Sequence, residues 1–200
     1  MGRRLPAAVV ALVAVVTSAG LGAQTAGAAT DICVAANGEV RHQSGTATCG
    51  ADGTGSVAIA KGDNSVAFAV EGDRNRARVH GDNSLAFADF GDGNAATVRG
   101  DNSFAQAGSV APNSFGDGNT ATVRGDNSLA SAGGGDGNTA TAHGDNSTAR
   151  ADFGNGNTAT VRGDNSVALA GSGDGNTATA SGDGCLALAE GGNGLSDSCP

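Results

Sequence analysis

The sequence has almost no aromatic side chains: no Trp, no Tyr and six Phe among 200 residues, with a single Met. That excludes an ordinary globular interior, where large apolar and aromatic side chains supply most of the buried area. Basic residues are few, 11 Lys+Arg against 20 Asp+Glu, for a formal net charge of −9. The deficit argues against nucleic acid and anionic membranes as partners, because both repel an acidic chain, and it permits cation binding. Histidine occurs three times and cysteine four times. No two cysteines have CxxC spacing, so neither a metal centre nor a redox dithiol is indicated. Long apolar runs are missing too, apart from residues 5–16, which are too short to span a bilayer.

That run reads as the centre of a secretory signal peptide over residues 1–28. Arg3 and Arg4 precede it, and Ala26-Gly27-Ala28 follows as a small-x-small cleavage site. The expectation is a secreted, extracellular or cell-surface protein with no membrane span in the mature chain. Removing the signal takes away two arginines and no acid, so 11 − 2 = 9 Lys+Arg face 20 Asp+Glu, a net of −11.

What the chain has in excess is glycine, 35 residues. A chain so rich in small residues is either disordered or a repeat structure, and a fixed period decides for the second. Gly-Asp-Asn-Ser begins at 62, 81, 100, 125, 144 and 163, with a degenerate copy, Gly182-Asp183-Gly184-Cys185. A second motif, Gly-Asp/Asn-x-Asn, begins at 72, 91, 116, 135, 154 and 173. Each 19-residue unit is therefore two rows. One unit carries a six-residue insertion within 108–115.

Row A reads Gly-Asp-Asn-Ser-x-Ala-x-Ala and row B reads Gly-Asp-x-Asn-x-Ala-x-Val/Ala. In each, a four-residue turn signal precedes strict alternation, the pattern of a short strand and its turn. The prediction is an all-β parallel β-solenoid, or β-roll, of about six to seven coils with two short strands each. Ser, Ala and Ala recur unchanged in row A, as do Asn, Ala and Val/Ala in row B. Between them row A accepts Phe, Gln and Arg alike, so those positions face outward. The interior is then alanine, serine, asparagine and valine, and the coil is thin. Asn64, Asn83, Asn102, Asn127, Asn146 and Asn165 are expected to stack as an amide ladder.

A solenoid has open ends that need covering. Cys33 and Cys49 precede the repeats, and Cys185 and Cys199 follow them. Four cysteines in an exported chain imply disulfides, for which three pairings exist. The local pairs, Cys33–Cys49 and Cys185–Cys199, suit two caps. This divides the chain into the signal (1–28), an N-terminal cap (29–54), the repeats (55–181) and a C-terminal cap (182–200).

No catalytic constellation stands out. His42, His80 and His143 are far apart, and six copies of a buried serine argue for architecture, so an enzyme is not expected. His80 and His143 fall where other units carry Arg99, Arg124, Arg162 or Ser181, which reads as a tolerant surface column. Three features could carry function. Aspartates recur at both turns, and neighbours stacked ~4.8 Å apart repel by ~1 kcal/mol even in water. Calcium would relieve this, but row B has Ala where the nonapeptide calcium repeat places its Asp. Each Asp stabilising its own turn is the simpler account, so no cofactor is expected and structural calcium is the alternative. The second feature is a Thr-x-Thr array, Thr120/Thr122, Thr139/Thr141, Thr158/Thr160 and Thr177/Thr179, predicted to form an outward grid and a candidate binding face. Such grids resemble those of ice-binding β-solenoids. The third is an outward apolar stripe, Val66, Phe68, Leu85, Phe87 and Phe104, suited to self-association or a partner.

Gly62-Asp63-Asn64-Ser65-Val66-Ala67-Phe68-Ala69 and its copies resemble the head repeats of trimeric autotransporter adhesins (YadA-like heads). The likeness extends in pattern over 55–190. It implies a parallel β-roll that trimerises and binds host surfaces. The chain lacks the coiled-coil stalk and the barrel anchor of those proteins, and Ala often replaces their recurrent Gly. The expectation is a non-enzymatic, surface-associated structural or adhesin-like module, with a homo-oligomer or an extracellular surface ligand as partner. Ice binding through the threonines and a calcium-stabilised solenoid are the alternatives.

Overall fold

The computed structural model describes residues 31–108 and 115–200; the signal segment 1–28 and most of the insertion lie outside them. A hairpin comes first, β1 (Ile32–Ala36) and β2 (Glu39–Ser44). The coils follow as strand pairs: β3 (Thr48–Ala51) with β4 (Val57–Lys61), β5 (Val66–Val70) with β6 (Arg76–His80), β7 (Leu85–Asp89) with β8 (Ala95–Arg99), and β9 (Phe104–Gly108) with β10 (Thr120–Arg124). Then come β11 (Leu129–Gly133) with β12 (Thr139–His143), β13 (Thr148–Asp152) with β14 (Thr158–Val161), β15 (Val167–Gly171) with β16 (Thr177–Ala180), and β17 (Leu186–Glu190) with β18 (Ser196–Cys199). The parallel β-solenoid read from the repeat is thus present, with about eight turns. The segment after 182 continues the stack in register as a further coil.

Row A strands form an eight-stranded sheet, β17 to β3, and row B strands belong to a ten-stranded one, β18 to β4 and then β1 and β2. Coils pair in parallel, each residue opposite its equivalent in the next unit, as in Ala121↔Ala140. The buried residues are those of the recurrent columns. Nothing bulkier than Val98, Val123 and Val161 is fully enclosed, and the asparagines of row B come next in size. So small an interior buries little apolar area per coil, and stability has to come largely from hydrogen bonds between coils.

Those bonds run as four side-chain ladders. Inside one corner Ser65 Oγ donates to Gly62 O of its own turn. The serine hydroxyls from Ser84 to Ser166 each donate instead to a glycine carbonyl of the next coil and accept the amide of the residue stacked on them, as in Ser103 Oγ to Gly125 O at 2.8 Å and Ser128 N to Ser103 Oγ at 3.1 Å. Inside the other corner the buried row B asparagines do the same with an amide: Asn138 N donates to Asn119 Oδ1, and Asn157 N to Asn138 Oδ1, both at 2.8 Å. Outside, aspartates line both turns. Asp82 N donates to Asp101 Oδ1, Asp101 N to Asp126 Oδ1 and Asp126 N to Asp145 Oδ1, each at 2.8 Å. The row B turns repeat this from Asp73 N to Asp92 Oδ1 onward.

Two expectations change here. The asparagines of Gly-Asp-Asn-Ser do not build the buried amide ladder. They are exposed and take left-handed backbone at φ 53–55°, a conformation that Asn tolerates and row B fills with glycines such as Gly118 at φ 66°. Their one side-chain contact of the expected kind is Asn64 Nδ2 to Asn83 Oδ1, at a long 3.5 Å. The aspartates, in turn, do not brace their own turns; each ties its turn to the coil before it.

The ends are closed differently. β1 runs antiparallel to β4, and β2 antiparallel to β1, so the hairpin ends the parallel stack and Cys33–Cys49 pins it, with Cα atoms 5.6 Å apart. At the other end β17 and β18 are edge strands joined by Cys185–Cys199, Cα atoms 6.1 Å apart. Asp197 Oδ2 accepts the Leu188 amide at 2.7 Å. That places an acid over the open edge of β17, a device that discourages further strand pairing.

Candidate functional faces

With the recurrent columns turned inward, the variable positions make two outward faces, one on each sheet. On the ten-stranded sheet the threonine columns are in register: Thr120, Thr139, Thr158 and Thr177 in one, Thr122, Thr141, Thr160 and Thr179 in the other. All alternate with buried alanines and stand partly or fully exposed. Thr97 precedes the second column, opposite Thr122. Ser196 and Ser198 extend both columns, opposite Thr177 and Thr179. The sequence pattern hid these two because Ser-Asp-Ser-Cys breaks the Thr-Ala-Thr signature. The spacing is ~7 Å along a strand and ~4.8 Å between coils.

A third column borders the grid. Lys61 pairs with His80, His80 with Arg99, Arg99 with Arg124, and Arg124 with His143. Arg162 follows one 19-residue step later. What reads in the sequence as a tolerant surface column is, once stacked, a line of six basic side chains. Burial, with the Arg124 and Arg162 guanidiniums beside it, holds His143 below its ordinary pKa. Consistently, Arg124 Nη1 lies 3.2 Å from His143 Nε2, a contact in which a neutral imidazole accepts a hydrogen bond from the guanidinium N–H. Arg76 and Arg78 widen the basic region at the N-terminal end of the sheet.

The eight-stranded sheet carries the apolar stripe. Val66↔Leu85↔Phe104 and Phe68↔Phe87 are neighbours in register. They are half-buried, since the rings pack on each other: Phe68 on Phe87 with centroids 5.7 Å apart, and Phe87 on Phe104 at 5.8 Å. Phe68 also covers Gly50, where a Cβ would stand 2.8 Å from the ring. The stripe resumes at Val167 and Leu169 and ends at Leu186 and Leu188, which are 57% and 46% exposed. Phe115, at the end of the insertion, stacks on Phe90 at 5.5 Å rather than on the stripe.

Between the two apolar stretches lies a polar knot. Arg150 pairs with Asp152 at 2.8 Å, and Ser131 Oγ donates to Asp152 Oδ1 at 3.2 Å. Burial nonetheless pushes the Asp152 carboxyl above its ordinary pKa, more than Arg150 lowers it.

The serines of Gly-Asp-Asn-Ser are committed to the inner ladder. The aspartate carboxylates each give one oxygen to an amide. At Asn155 and Asn193 the same column uses an amide oxygen for the same bond, Asp136 N to Asn155 Oδ1 at 2.8 Å and Asp174 N to Asn193 Oδ1 at 2.9 Å. The column therefore needs an acceptor at each step and does without the charge at two of them. No protein-family model, no curated protein and no solved structure matches this chain.

Proposed function

We propose that this is an exported, non-enzymatic binding module that attaches to an extracellular surface through the outward face of its ten-stranded sheet. The observation that supports the reading is the in-register hydroxyl grid from Thr120 to Ser198, continuous over five coils. A rigid scaffold presents these groups without an ordering cost at the moment of binding. Replacing Thr141 and Thr160 by Tyr leaves the interior untouched and breaks the grid. Adsorption of wild type and variant to a panel of cell-wall and matrix surfaces tests the reading. Loss in the variant, with an unchanged melting curve, is the expected result; equal adsorption overturns it.

Ice binding is the second reading, favoured by the Thr-x-Thr spacing itself. It predicts thermal hysteresis that the same double variant abolishes, and an absence of hysteresis at high protein concentration removes it. Self-association through Val66, Phe68, Leu85, Phe87 and Phe104 is a separate proposal. Light scattering coupled to size exclusion decides it, with Phe87→Ser expected to shift an oligomer to monomer.

A further inference from the structure

We infer that the basic column beside the grid binds a linear anionic polysaccharide laid along the solenoid axis. The inference rests on the reading of the ten-stranded sheet as the binding face and names the class of its ligand.

Charge is segregated on this sheet. Strands β4 to β16 of this sheet, with Arg162 beyond β14, present Lys61, Arg76, Arg78, Arg99, Arg124 and Arg162 outward and contain no Asp or Glu. In a chain with 20 acids and a net charge of −9, seven adjacent strands free of acid are sorted rather than averaged; the turn aspartates two residues beyond the column, such as Asp101 and Asp126, are committed to amides of the neighbouring coil. Among the described residues the one ion pair, Arg150–Asp152, belongs to the other sheet, so no carboxylate neutralises the column by direct contact. Arg99 and Arg124, cations on adjacent coils, repel one another. A bound polyanion relieves that repulsion.

The shape of the column fits an extended ligand. The column advances one basic group per coil, so five steps from Lys61 to Arg162 cover roughly 24 Å in a line. A small anion uses one or two such groups, and an extended polymer reaches Lys61, Arg99, Arg124 and Arg162 together. Its first part has a depression of about 220 Å³ lined by Ile59, Lys61, Arg78, His80, Thr97 and Arg99, room for a carboxylate or sulfate group. The hydroxyl columns run parallel to the basic one, so a polymer bearing hydroxyls and an acid at regular intervals meets both along its length.

The placement of the aromatic rings favours a polysaccharide over nucleic acid. Binding of single strands relies on aromatic platforms for the bases. Phe68, Phe87 and Phe104 are on the eight-stranded sheet, and Phe90, Phe115 and Phe153 lie outside the strands of either sheet. The grid face has hydroxyls where stacking would need rings.

The experiment titrates the mature protein with alginate (carboxylated), heparin (sulfated), neutral dextran, poly-dT and phosphatidylserine vesicles at about 50 mM and about 500 mM salt. The variant is Arg99→Gln/Arg124→Gln/Arg162→Gln, with Arg74→Gln, at the opposite corner, as control. Expected are binding of alginate or heparin but not dextran, a loss of at least about tenfold in the triple variant at low salt, little change in the control, and convergence at high salt. The stronger of the two acidic polymers identifies the anionic group. Equal binding by the triple variant overturns the inference, as does tighter binding of poly-dT or vesicles. If Thr141→Tyr/Thr160→Tyr abolishes surface adsorption while the arginine variant retains it, the face is the binding face and the polyanion assignment fails alone. If neither surfaces nor polymers bind, both readings fail.

Discussion

At the scale of the residue, most of the recurrent polar positions are acceptors placed for an amide in the adjacent coil. Asn138 shows the density of this arrangement: its Nδ2 donates to Gly154 O at 2.7 Å and Gly133 O at 3.3 Å, while its Oδ1 receives Asn157 N. Asn138→Ala strands a buried amide and two carbonyls, so urea unfolding is expected to show a loss of about 2–4 kcal/mol. The outer aspartates behave otherwise, since Asn155 and Asn193 already do their work. Asp126→Asn is expected to stay within about 0.5 kcal/mol of wild type and Asp126→Ala to lose about 1 kcal/mol. Both should melt indifferently to calcium and chelator, because the carboxylate's role is to accept Asp101 N. A calcium-dependent shift in melting temperature would favour the calcium-stabilised alternative.

Asp152 adds a pH dependence. Its pKa is raised by burial, so the folded state holds its proton more tightly than the unfolded chain, whose value is near 3.8. Stability from this group is then present in acid and is lost as pH rises through the folded value. Relative to Asp152→Asn, wild type is expected to gain stability as pH falls from 7 toward 4, and a flat difference across that range would contradict the assignment.

At the scale of the element, the corner glycine is the most exacting position. A Cβ on Gly125, at φ +153°, would stand 2.2 Å from the carbonyl oxygen of Gly144 in the next coil. Strand spacing sets that distance, so the coil has no way to relax without opening the ladder. Gly125→Ala is expected to cost about 3 kcal/mol and to raise hydrogen exchange on both sides of the break. The alternation of each row was legible because period two leaves a trace in every unit. The hydrogen-bonded serine and asparagine corners were legible only as buried columns, since an acceptor 19 or 25 residues away leaves no local mark. The antiparallel hairpin over β1 and β2 lies outside the repeat, and its local mark is the two-residue turn Asn37-Gly38, both at positive φ.

At the scale of the molecule, cooperativity passes from coil to coil and the ends are its weak points. The hairpin covers one end with two extra strands, and the other ends in bare edge strands held by one disulfide. Cys199→Ser is expected to lower stability by about 3 kcal/mol by chain entropy. It should also raise exchange in β17 and β18 before β1, measured by hydrogen–deuterium exchange. If both ends loosened together, the asymmetry of the caps would have no energetic meaning.

The sequence alone determined the parallel β-solenoid and its inward columns, because a fixed 19-residue period forces equivalent residues into stacks; it left three cysteine pairings open, and the fold joins Cys33 to Cys49 and Cys185 to Cys199. The sequence also placed the threonines outward by parity. Tertiary structure decided which polar side chain reaches which coil, that the stack continues to Ser196 and Ser198, and that Lys61, His80, Arg99, Arg124, His143 and Arg162 form one line. The reason is physical: a column exists only when strands are hydrogen-bonded in register, and charges 19 or 25 residues apart become neighbours only then.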